Sequence, residues 1–353
     1  MADVEGKKVI ILYILQILRK YTDIDHRMTQ QDIADKLWSD YGLEINRATV
    51  KRNISDLIDA HYPIQFDEHI RTYRKKNGET EENSIYTNLY YEHDITESEL
   101  RLLIDGLLFS RSVPYNQRRQ LIDKLGGLSS AYFNQRMNHM RCMSADSPAN
   151  AQLFYNIERL DEAIGAGKQV RIIYGHYGTD LELHPVLNED GTEKVQVLNP
   201  YQLAANEGRY YLICNNDKYD SVANYRIDRI MKIDVLDTPS RPASQVRGLE
   251  NGLNLSDYVF QNLNMFTSPP EDVEFTVGKN FVSLVIDFFG KYVHFFEQPD
   301  GTVNCRLKVS RMAMKQWAVE HAAIVKVTSP PGLVDEIREA LRKAMENYGL
   351  DAR

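Results

Sequence analysis

At 353 residues the chain exceeds the size of an ordinary single domain, so two or three domains of roughly 100 to 150 residues are expected. Its 43% hydrophobic, 26% charged and 10% aromatic composition is typical of globular proteins and excludes a wholly disordered, collagen-like or coiled-coil chain. A formal net charge of -8 predicts, averaged over the whole chain, a poor partner for anionic nucleic acid or membrane.

Residues 7–60 carry the hydrophobic period of helices. The side chains predicted to anchor three successive helices are Ile10, Ile14 and Ile17, then Ile33, Leu37 and Trp38, then Val50, Ile54 and Leu57. Thr29 and Asp32 have the spacing of a cap at the start of the second helix, and Asn46 is placed to cap the third. The alternating segment 63–73 and the turn signal Asn77-Gly78 then predict a β-hairpin, which completes a winged-helix pattern.

Helices resume after the hairpin. Thr96 to Glu99 has the sequence of a capping box, and a further helical stretch covers Gln117 to Leu125. One more amphipathic helix spans residues 151–166. Beyond it, alternating segments up to Pro239 predict a small sheet or barrel, and the region from about Glu271 predicts a small α+β domain.

The third predicted helix has a polar face suited to a DNA groove. Its basic and hydroxyl side chains have the reach for phosphates or base edges, and small Ala48 allows a close backbone approach. A solvated surface is the simpler interpretation of a single basic helix, but two capped helices followed by a basic hairpin form a more specific pattern. The predicted DNA-binding residues are Arg47, Thr49, Lys51, Arg52 and Ser55 on the helix and Arg71, Arg74 and Lys75 in the hairpin.

The negative charge is unevenly distributed. Residues 46–76 hold seven basic and four acidic side chains, whereas residues 77–167 hold 8 basic and 13 acidic ones. The net charge of -8 therefore conceals a basic segment that coincides with the predicted DNA-binding face.

A second cluster lies in the β-rich region, in the segments Arg209-Tyr210-Tyr211-Leu212 and Tyr225-Arg226-Ile227-Asp228-Arg229-Ile230. Aromatic rings beside arginines suit an anionic ligand with π-faces, because guanidinium binds phosphate while a ring stacks on a base. Tyrosines are also ordinary strand residues, and Arg229 has a carboxylate neighbour in Asp228. Strict alternation places Arg226 and Arg229 on opposite faces, so a shared pocket requires a bulge or a strand end near Asp228.

These two segments resemble the signature of bacterial WYL-domain transcriptional regulators, with Tyr210, Tyr211 and Leu212 at the three signature positions. The resemblance spans nearly the whole chain and implies an α+β protein. Its expected parts are a winged helix-turn-helix domain (1–90), a helical linker (91–150), an Sm-like β-barrel WYL domain (151–240), a second linker (241–270) and a C-terminal ferredoxin-like α/β extension domain (271–353).

The resemblance implies a homodimeric DNA-binding regulator whose WYL domain binds a single-stranded nucleic acid or nucleotide effector that modulates binding to a double-stranded operator. The implied effector-binding residues are Tyr174, Tyr201, Arg209, Tyr210, Tyr211, Arg226 and Arg229. A single-stranded nucleic-acid-binding accessory protein of a defence or nuclease system is the alternative.

An enzyme is not expected, because the sequence has no phosphate loop, dinucleotide fingerprint, zinc-protease motif or nucleophile elbow. His176 and His184 flank Asp180 and Glu182, but strand histidines are more often surface or hydrogen-bonded residues than metal ligands, so no metal or other cofactor is expected. Three dispersed cysteines favour a reducing cytoplasm. The apolar stretch Val9 to Leu18 is too short to cross a bilayer and predicts a core helix rather than a membrane partner.

Overall fold

The computed structural model describes residues 5–74, 80–110, 112–137, 150–262, 265 and 268–350. The chain divides into two compact units. The first unit comprises Met1–Phe109 and Tyr115–Asp146, and the second comprises Ser110–Pro114 and Ser147–Arg353.

The first unit has three helices, a hairpin and three further helices, and the sequence predicts all of these except the short last helix at Ala131–Met137. Its elements are α1 (Glu5–Tyr21), α2 (Gln30–Tyr41), α3 (Arg47–Asp59), β1 (Ile64–Arg74), β2 (Thr80–Tyr91), α4 (Glu97–Phe109), α5 (Tyr115–Gly126) and α6 (Ala131–Met137).

The predicted caps fix the start of both α2 and α3. The Thr29 hydroxyl accepts the backbone N–H of Asp32, and the Asp32 carboxylate accepts the backbone N–H of Thr29 at 2.8 Å, which closes a capping box. Asn46 Oδ1 accepts the backbone N–H of Thr49 at 2.9 Å. Between the helices Gly42 ends α2 in the left-handed region at φ 67°, which glycine adopts without steric cost.

The core of this part packs α1, α2 and α3 against the hairpin. Ile14, Ile33 and Ile54 are each 0% exposed, as the apolar stripes predict. The prediction for Trp38 is wrong, because this side chain is 60% exposed. Leu37 already fills the inward position on α2, and the next residue of a helix points about 100° away from it.

The second unit begins with a helix laid on an antiparallel sheet. Its elements up to residue 239 are α7 (Leu153–Ala166), β3 (Lys168–Tyr177), β4 (Leu183–Pro185), β5 (Val195–Asn206), β6 (Arg209–Asn215), β7 (Val222–Arg226) and β8 (Ile230–Pro239). Leu160 of α7 is fully buried in a cluster with Val170, Leu198 and Leu212 of the sheet.

This sheet is open, so the expected barrel is not closed in the described strand pairing. The order is β4-β3-β5-β6-β7, and β8 pairs with β3. The chain leaves β7 through a 3₁₀ turn at Ile227–Arg229 and returns as β8 on the far side of β3, so β7 and β8 share no ladder.

The predicted linker 241–270 contains a packed helix, α8 (Leu255–Gln261). Tyr258 of α8 is buried with Tyr211 and Ile213 of β6, and its hydroxyl donates to Asn224 Oδ1 at 3.0 Å. Apolar burial therefore fixes α8 against the preceding sheet.

The C-terminal part has the β-α-β-β-α-β element order of ferredoxin-like domains. Its elements are β9 (Pro270–Gly278), α9 (Val282–Phe289), β10 (His294–Glu297), β11 (Thr302–Ser310), α10 (Arg311–Glu320), β12 (Val325–Ser329) and α11 (Pro331–Asn347). The strands form an antiparallel sheet in the order β10-β11-β9-β12, with Phe275, Phe289 and Met314 in the core beneath it.

Within the described residues, no helix combines the length and the apolar character needed to cross a membrane.

Candidate nucleic-acid interface and ligand pocket

The outward face of α3 is divided between exposed and anchored side chains. Arg47 and Arg52 are exposed, and so is Ala48 between them. Among the described residues Arg52 has no hydrogen bond or ion pair, whereas Arg47 donates from Nε to Gln31 Oε1 at 2.5 Å. These two arginines therefore present positive charge to solvent, as the sequence predicts.

Two of the predicted DNA-binding residues face the hairpin instead. Lys51 Nζ donates to the backbone carbonyl of Ser84 and to its hydroxyl, the latter at 2.7 Å, and lies 5.2 Å from the centre of the Tyr86 ring. The Ser55 hydroxyl donates to the Tyr86 hydroxyl at 3.3 Å. Lys51 and Ser55 thus attach α3 to β2.

Thr49 has a structural role at the start of α3. Its backbone N–H is bound by Asn46, and its carbonyl accepts from Asn53 Nδ2 at 2.7 Å. The side chain is half-buried.

In the hairpin, Arg71 lies opposite Asn83 and Arg74 lies opposite Thr80. Only the backbone of these two arginines is described. Lys75 and the predicted Asn77-Gly78 turn lie outside the described residues.

In the second unit the structure brings Tyr174, Arg226 and Arg229 together. A shared pocket requires a bulge or a strand end near Asp228, and the structure has a strand end, because β7 ends at Arg226 and the 3₁₀ turn carries Arg229. The Tyr174 hydroxyl accepts the backbone N–H of Arg226 at 3.2 Å, and its ring meets Tyr225 edge-to-face at 5.0 Å.

Asp228 is the carboxylate of this cluster of side chains, which is the candidate ligand pocket. It is 3% exposed and accepts from Arg226 Nε at 3.0 Å and from Arg226 Nη2 at 2.6 Å. Burial lowers the pKa of Arg226, but the hydrogen bonds and charge of Asp228 outweigh it, so the pKa of Arg226 is raised. Arg226 is permanently cationic and its charge is locally balanced.

Two polar atoms near Asp228 are buried without a partner among the described residues, namely the Tyr177 hydroxyl and Arg229 Nε. Burial is the main reason that the pKa of Tyr177 is raised, and Asp228, Arg226 and Arg229 act on it electrostatically. Buried polar groups are normally hydrogen-bonded, so these two atoms mark a place where a ligand or water would bind.

Sequence reasoning missed Tyr177, because alternation places it on the opposite face from Tyr174. In the pairing of β3 with β8 the register shifts between Ile173 and Tyr174, where β8 carries one extra residue, Met231. Gly175 is required beside the shift, since a Cβ there would lie 2.8 Å from Leu183 Cγ and 2.9 Å from the His184 carbonyl oxygen.

Residues 155–235 match the family model of the WYL domain. The chain contains a WYL domain. Its matched segment covers most of α7 and the strands that carry Tyr174, Arg226 and Arg229.

No curated protein matches the chain. Several solved structures match the chain, and two of them illustrate how limited the similarity is. Proteasome accessory factor B/C (PafBC) of Arthrobacter aurescens aligns at a TM-score of 0.27 and 14% identity, over 96% of this chain and 48% of that one. A structure titled as a CRISPR Cas-related protein aligns at a TM-score of 0.37 and 14% identity, over 99% of this chain and 88% of that one. The chain therefore spans about half the length of PafBC.

The signature residues of the WYL domain divide between two cores. Leu212 is 0% exposed, and Tyr210 packs on the same cluster, beneath α7. Tyr211 lies opposite Arg226 in the strand register, but its ring packs in the cluster that contains Tyr258 of α8. Arg209 is half-buried at the start of β6.

Tyr201 belongs to a different neighbourhood from the pocket. Its hydroxyl donates to the Arg241 carbonyl at 2.9 Å, and burial raises the pKa of Tyr201 to about 12. Nearby, Asn199 and Gln169 bind Asp217 at 2.7 Å and 3.0 Å. Asn199 and Gln169 are buried, and their hydrogen bonds to the exposed Asp217 form a structural network.

His184 Nε2 lies 2.7 Å from Asp180 Oδ2, and the rings of His176 and His184 are 6.5 Å apart. The described part of the chain contains no group of three or more histidine, cysteine or acidic side chains arranged to hold a metal ion.

Proposed function

We propose that this protein is a DNA-binding transcriptional regulator in which residues 46–76 bind duplex DNA and the WYL domain binds an effector. The observation that carries the proposal is the face of α3, where Arg47 and Arg52 are exposed beside Ala48 on a helix capped at its start. Three helices followed by an antiparallel hairpin are the elements of a winged helix-turn-helix domain, whose second capped helix enters the major groove.

The duplex-binding part of the proposal is tested by selecting bound sequences from a random duplex pool and measuring their affinity by fluorescence anisotropy. Arg52→Ala is expected to weaken binding of the selected duplex by about 5- to 100-fold, because a direct contact to DNA is lost. Arg119→Ala is the matched control, since Arg119 is also an exposed helical arginine. Equal affinity of wild type and Arg52→Ala for the selected duplex would contradict the assignment of α3 as the DNA-binding helix.

The proposed effector is a single-stranded nucleic acid or a nucleotide. Arg229 Nε and the Tyr177 hydroxyl are donors without a partner among the described residues, Tyr174 and Tyr225 supply rings, and Arg226 keeps its Nη1, which Asp228 does not bind. Guanidinium groups bind phosphate oxygens and aromatic rings stack on bases, so this set of groups fits a nucleotide unit.

The effector part is tested by titrating fluorescent single-stranded oligonucleotides and mononucleotides into wild type, Arg226→Ala and Arg229→Ala. Both variants are expected to lose single-strand or nucleotide binding and to keep duplex binding. Arg171→Ala is the control, because Arg171 is an exposed arginine on β3. If both variants keep oligonucleotide and nucleotide binding, the proposal that Arg226 and Arg229 bind the effector is contradicted.

The alternative function is a single-stranded nucleic-acid-binding accessory protein of a defence or nuclease system. It is favoured by the Tyr177 hydroxyl and Arg229 Nε, which have no partner among the described residues and whose role does not require DNA binding by α3. Selection from a random single-stranded pool beside the duplex pool separates the two. Enrichment of single strands alone supports the alternative, and enrichment of duplexes supports the regulator.

We further propose that the regulator acts as a homodimer and without catalysis or a cofactor. A two-fold dimer binds two half-sites about 34–36 Å apart or a multiple of that distance, so the selected duplexes are expected to contain inverted repeats. Hydrolysis of DNA or RNA on addition of Mg²⁺ would contradict the non-catalytic proposal.

A further inference from the structure

The first turn of α3 carries a charge that helix stability does not explain. Arg47 is the first residue of the helix, and the first turn holds no acidic side chain. A cation at a helix N-terminus opposes the macrodipole, whereas Asp or Glu there would stabilise the helix. Arg47 also forms no ion pair with any carboxylate in the described part of the chain. Its placement therefore needs a reason other than folding.

A side-chain relay from α2 fixes the guanidinium of Arg47. Arg47 Nε donates to Gln31 Oε1 at 2.5 Å, and Gln31 Nε2 donates to Asp35 Oδ1 at 2.7 Å. The two contacts use both ends of the Gln31 amide, so they determine which way it points. Asp35 thereby orients Gln31, and Gln31 orients Arg47.

The backbone on both sides of the relay is held by caps. Gln31 is the second residue of α2, inside the capping box formed by Thr29 and Asp32. Arg47 directly follows the cap residue Asn46. Neither end of the Gln31–Arg47 contact lies on a loop, and a site built on capped helices holds its geometry well.

The relay leaves a defined part of Arg47 available. Its Nε is occupied by Gln31, while no described residue accepts a hydrogen bond from Nη1 or Nη2. The two terminal nitrogens of a guanidinium form a planar fork of parallel N–H donors, which matches O6 and N7 of guanine in the major groove.

We infer that Gln31 is a positioning residue that holds the Arg47 fork for a guanine of the bound duplex. This inference rests on the proposed duplex binding. In the DNA-binding helix-turn-helix the N-terminal residues of the second helix contact base edges, and Arg47 occupies the first of those positions. Gln31 acts through Arg47 and sets base preference without contacting the base.

The test uses the full-length chain and the duplex that wild type selects from a random pool. Each G·C pair of that duplex is replaced in turn, and affinity is measured for wild type, Gln31→Ala, Arg47→Ala and the double variant. Wild type is expected to lose about 5- to 100-fold in affinity at one particular G·C pair. Arg47→Ala abolishes that preference, Gln31→Ala reduces it, and Gln31→Ala adds nothing further in the Arg47→Ala background.

Gln16→Ala is the matched control. Gln16 is likewise an exposed glutamine that accepts a contact from another helix, from the Tyr41 hydroxyl at 3.0 Å, and its loss leaves the base preference unchanged. Equal loss of affinity for every duplex in Gln31→Ala would overturn the inference, because a phosphate contact or a general weakening of the fold has no base preference. An unchanged preference in Gln31→Ala overturns it as well, while duplex binding by wild type stands. A pool from which wild type selects no duplex refutes the proposed function itself, and with it this inference.

Discussion

A single buried carboxylate, Asp23, joins the loop between α1 and α2 to α6. Asp23 is 7% exposed and accepts the backbone N–H of His26 at 2.8 Å, His26 Nδ1 at 2.7 Å and the Ser130 hydroxyl at 2.7 Å. The His26 ring in turn stacks on Tyr132 of α6 at 3.7 Å. Burial alone would raise the pKa of Asp23, but the donors from Ser130 and His26 lower it overall.

Asp23→Asn is expected to lower the free energy of local opening in the segment 22–28 by about 1–3 kcal/mol at neutral pH, because a buried acceptor is replaced by a group that cannot accept all of its donors. A carboxyl whose folded pKa is depressed stabilises the fold above its unfolded pKa, and this stabilisation is lost as pH falls through the folded value. The difference in opening free energy between wild type and Asp23→Asn is therefore largest at pH 7 and becomes smaller as the pH falls below about 4.

Hydrogen exchange of the segment 22–28, followed by mass spectrometry at pH 7 and pH 3, measures this difference. Asp25→Asn is the control, because Asp25 is an exposed carboxylate in the same loop. A difference of equal size at both pH values would show that the charge of Asp23 does not contribute.

At the level of elements, α3 and the hairpin behave as one body, because Lys51 binds Ser84 and lies over Tyr86. Lys51→Met keeps the length of the side chain but removes these contacts. It is expected to weaken duplex binding by about 3- to 10-fold, because the hairpin is no longer held in place against α3. Since Lys51 neutralises no phosphate in this arrangement, the slope of log affinity against log salt stays unchanged.

Arg52→Met is the comparison, because Arg52 is the exposed cation next to Lys51. It is expected to reduce the salt slope by about 1, as the loss of one phosphate contact does. The salt slopes of both variants are measured by anisotropy titrations at salt concentrations from about 50 to about 200 mM, over which DNA affinity changes strongly. An equal change of slope in Lys51→Met would place Lys51 on the DNA backbone.

The contrast between Lys51 and Arg52 shows how far the sequence predicts the interface. Periodicity and caps are local signals, so α1, α2 and α3 and the cap residues Thr29 and Asn46 were predictable, and the structure has them. The partner of Lys51 lies 33 residues away along the chain. A contact of this kind depends on how the hairpin folds back, which no helical period reports.

The same reasoning applies to the WYL domain. Alternation required either a bulge or a strand end near Asp228 if Arg226 and Arg229 were to share a pocket, and the structure has a strand end there. The place of Tyr177 near Asp228, and the separate network around Tyr201, depend on how distant segments of the chain pack together. The types of residue in the pocket were predictable from the sequence. Which individual residues form it is known only from the tertiary structure.

For the whole molecule, the uneven charge has a measurable consequence. The net charge of -8 includes 13 acidic side chains in residues 77–167, against a basic excess in residues 46–76. Acidic surface repels the phosphate backbone at every sequence, so it suppresses non-specific binding and leaves affinity dependent on specific contacts.

Neutralising two exposed carboxylates in the acidic segment, with Asp94→Asn and Asp123→Asn combined, is expected to raise affinity for a scrambled duplex by about twofold at 50 mM salt. The gain disappears near 200 mM salt, because exposed charges farther apart than a Debye length of about 10 Å at 0.1 M are largely screened. Affinity for the selected duplex rises by the same factor, so the ratio of specific to non-specific affinity is unchanged. Anisotropy with both duplexes at the two salt concentrations measures this. A gain confined to the selected duplex would mean that Asp94 or Asp123 acts on a specific contact instead of on the general field of the protein.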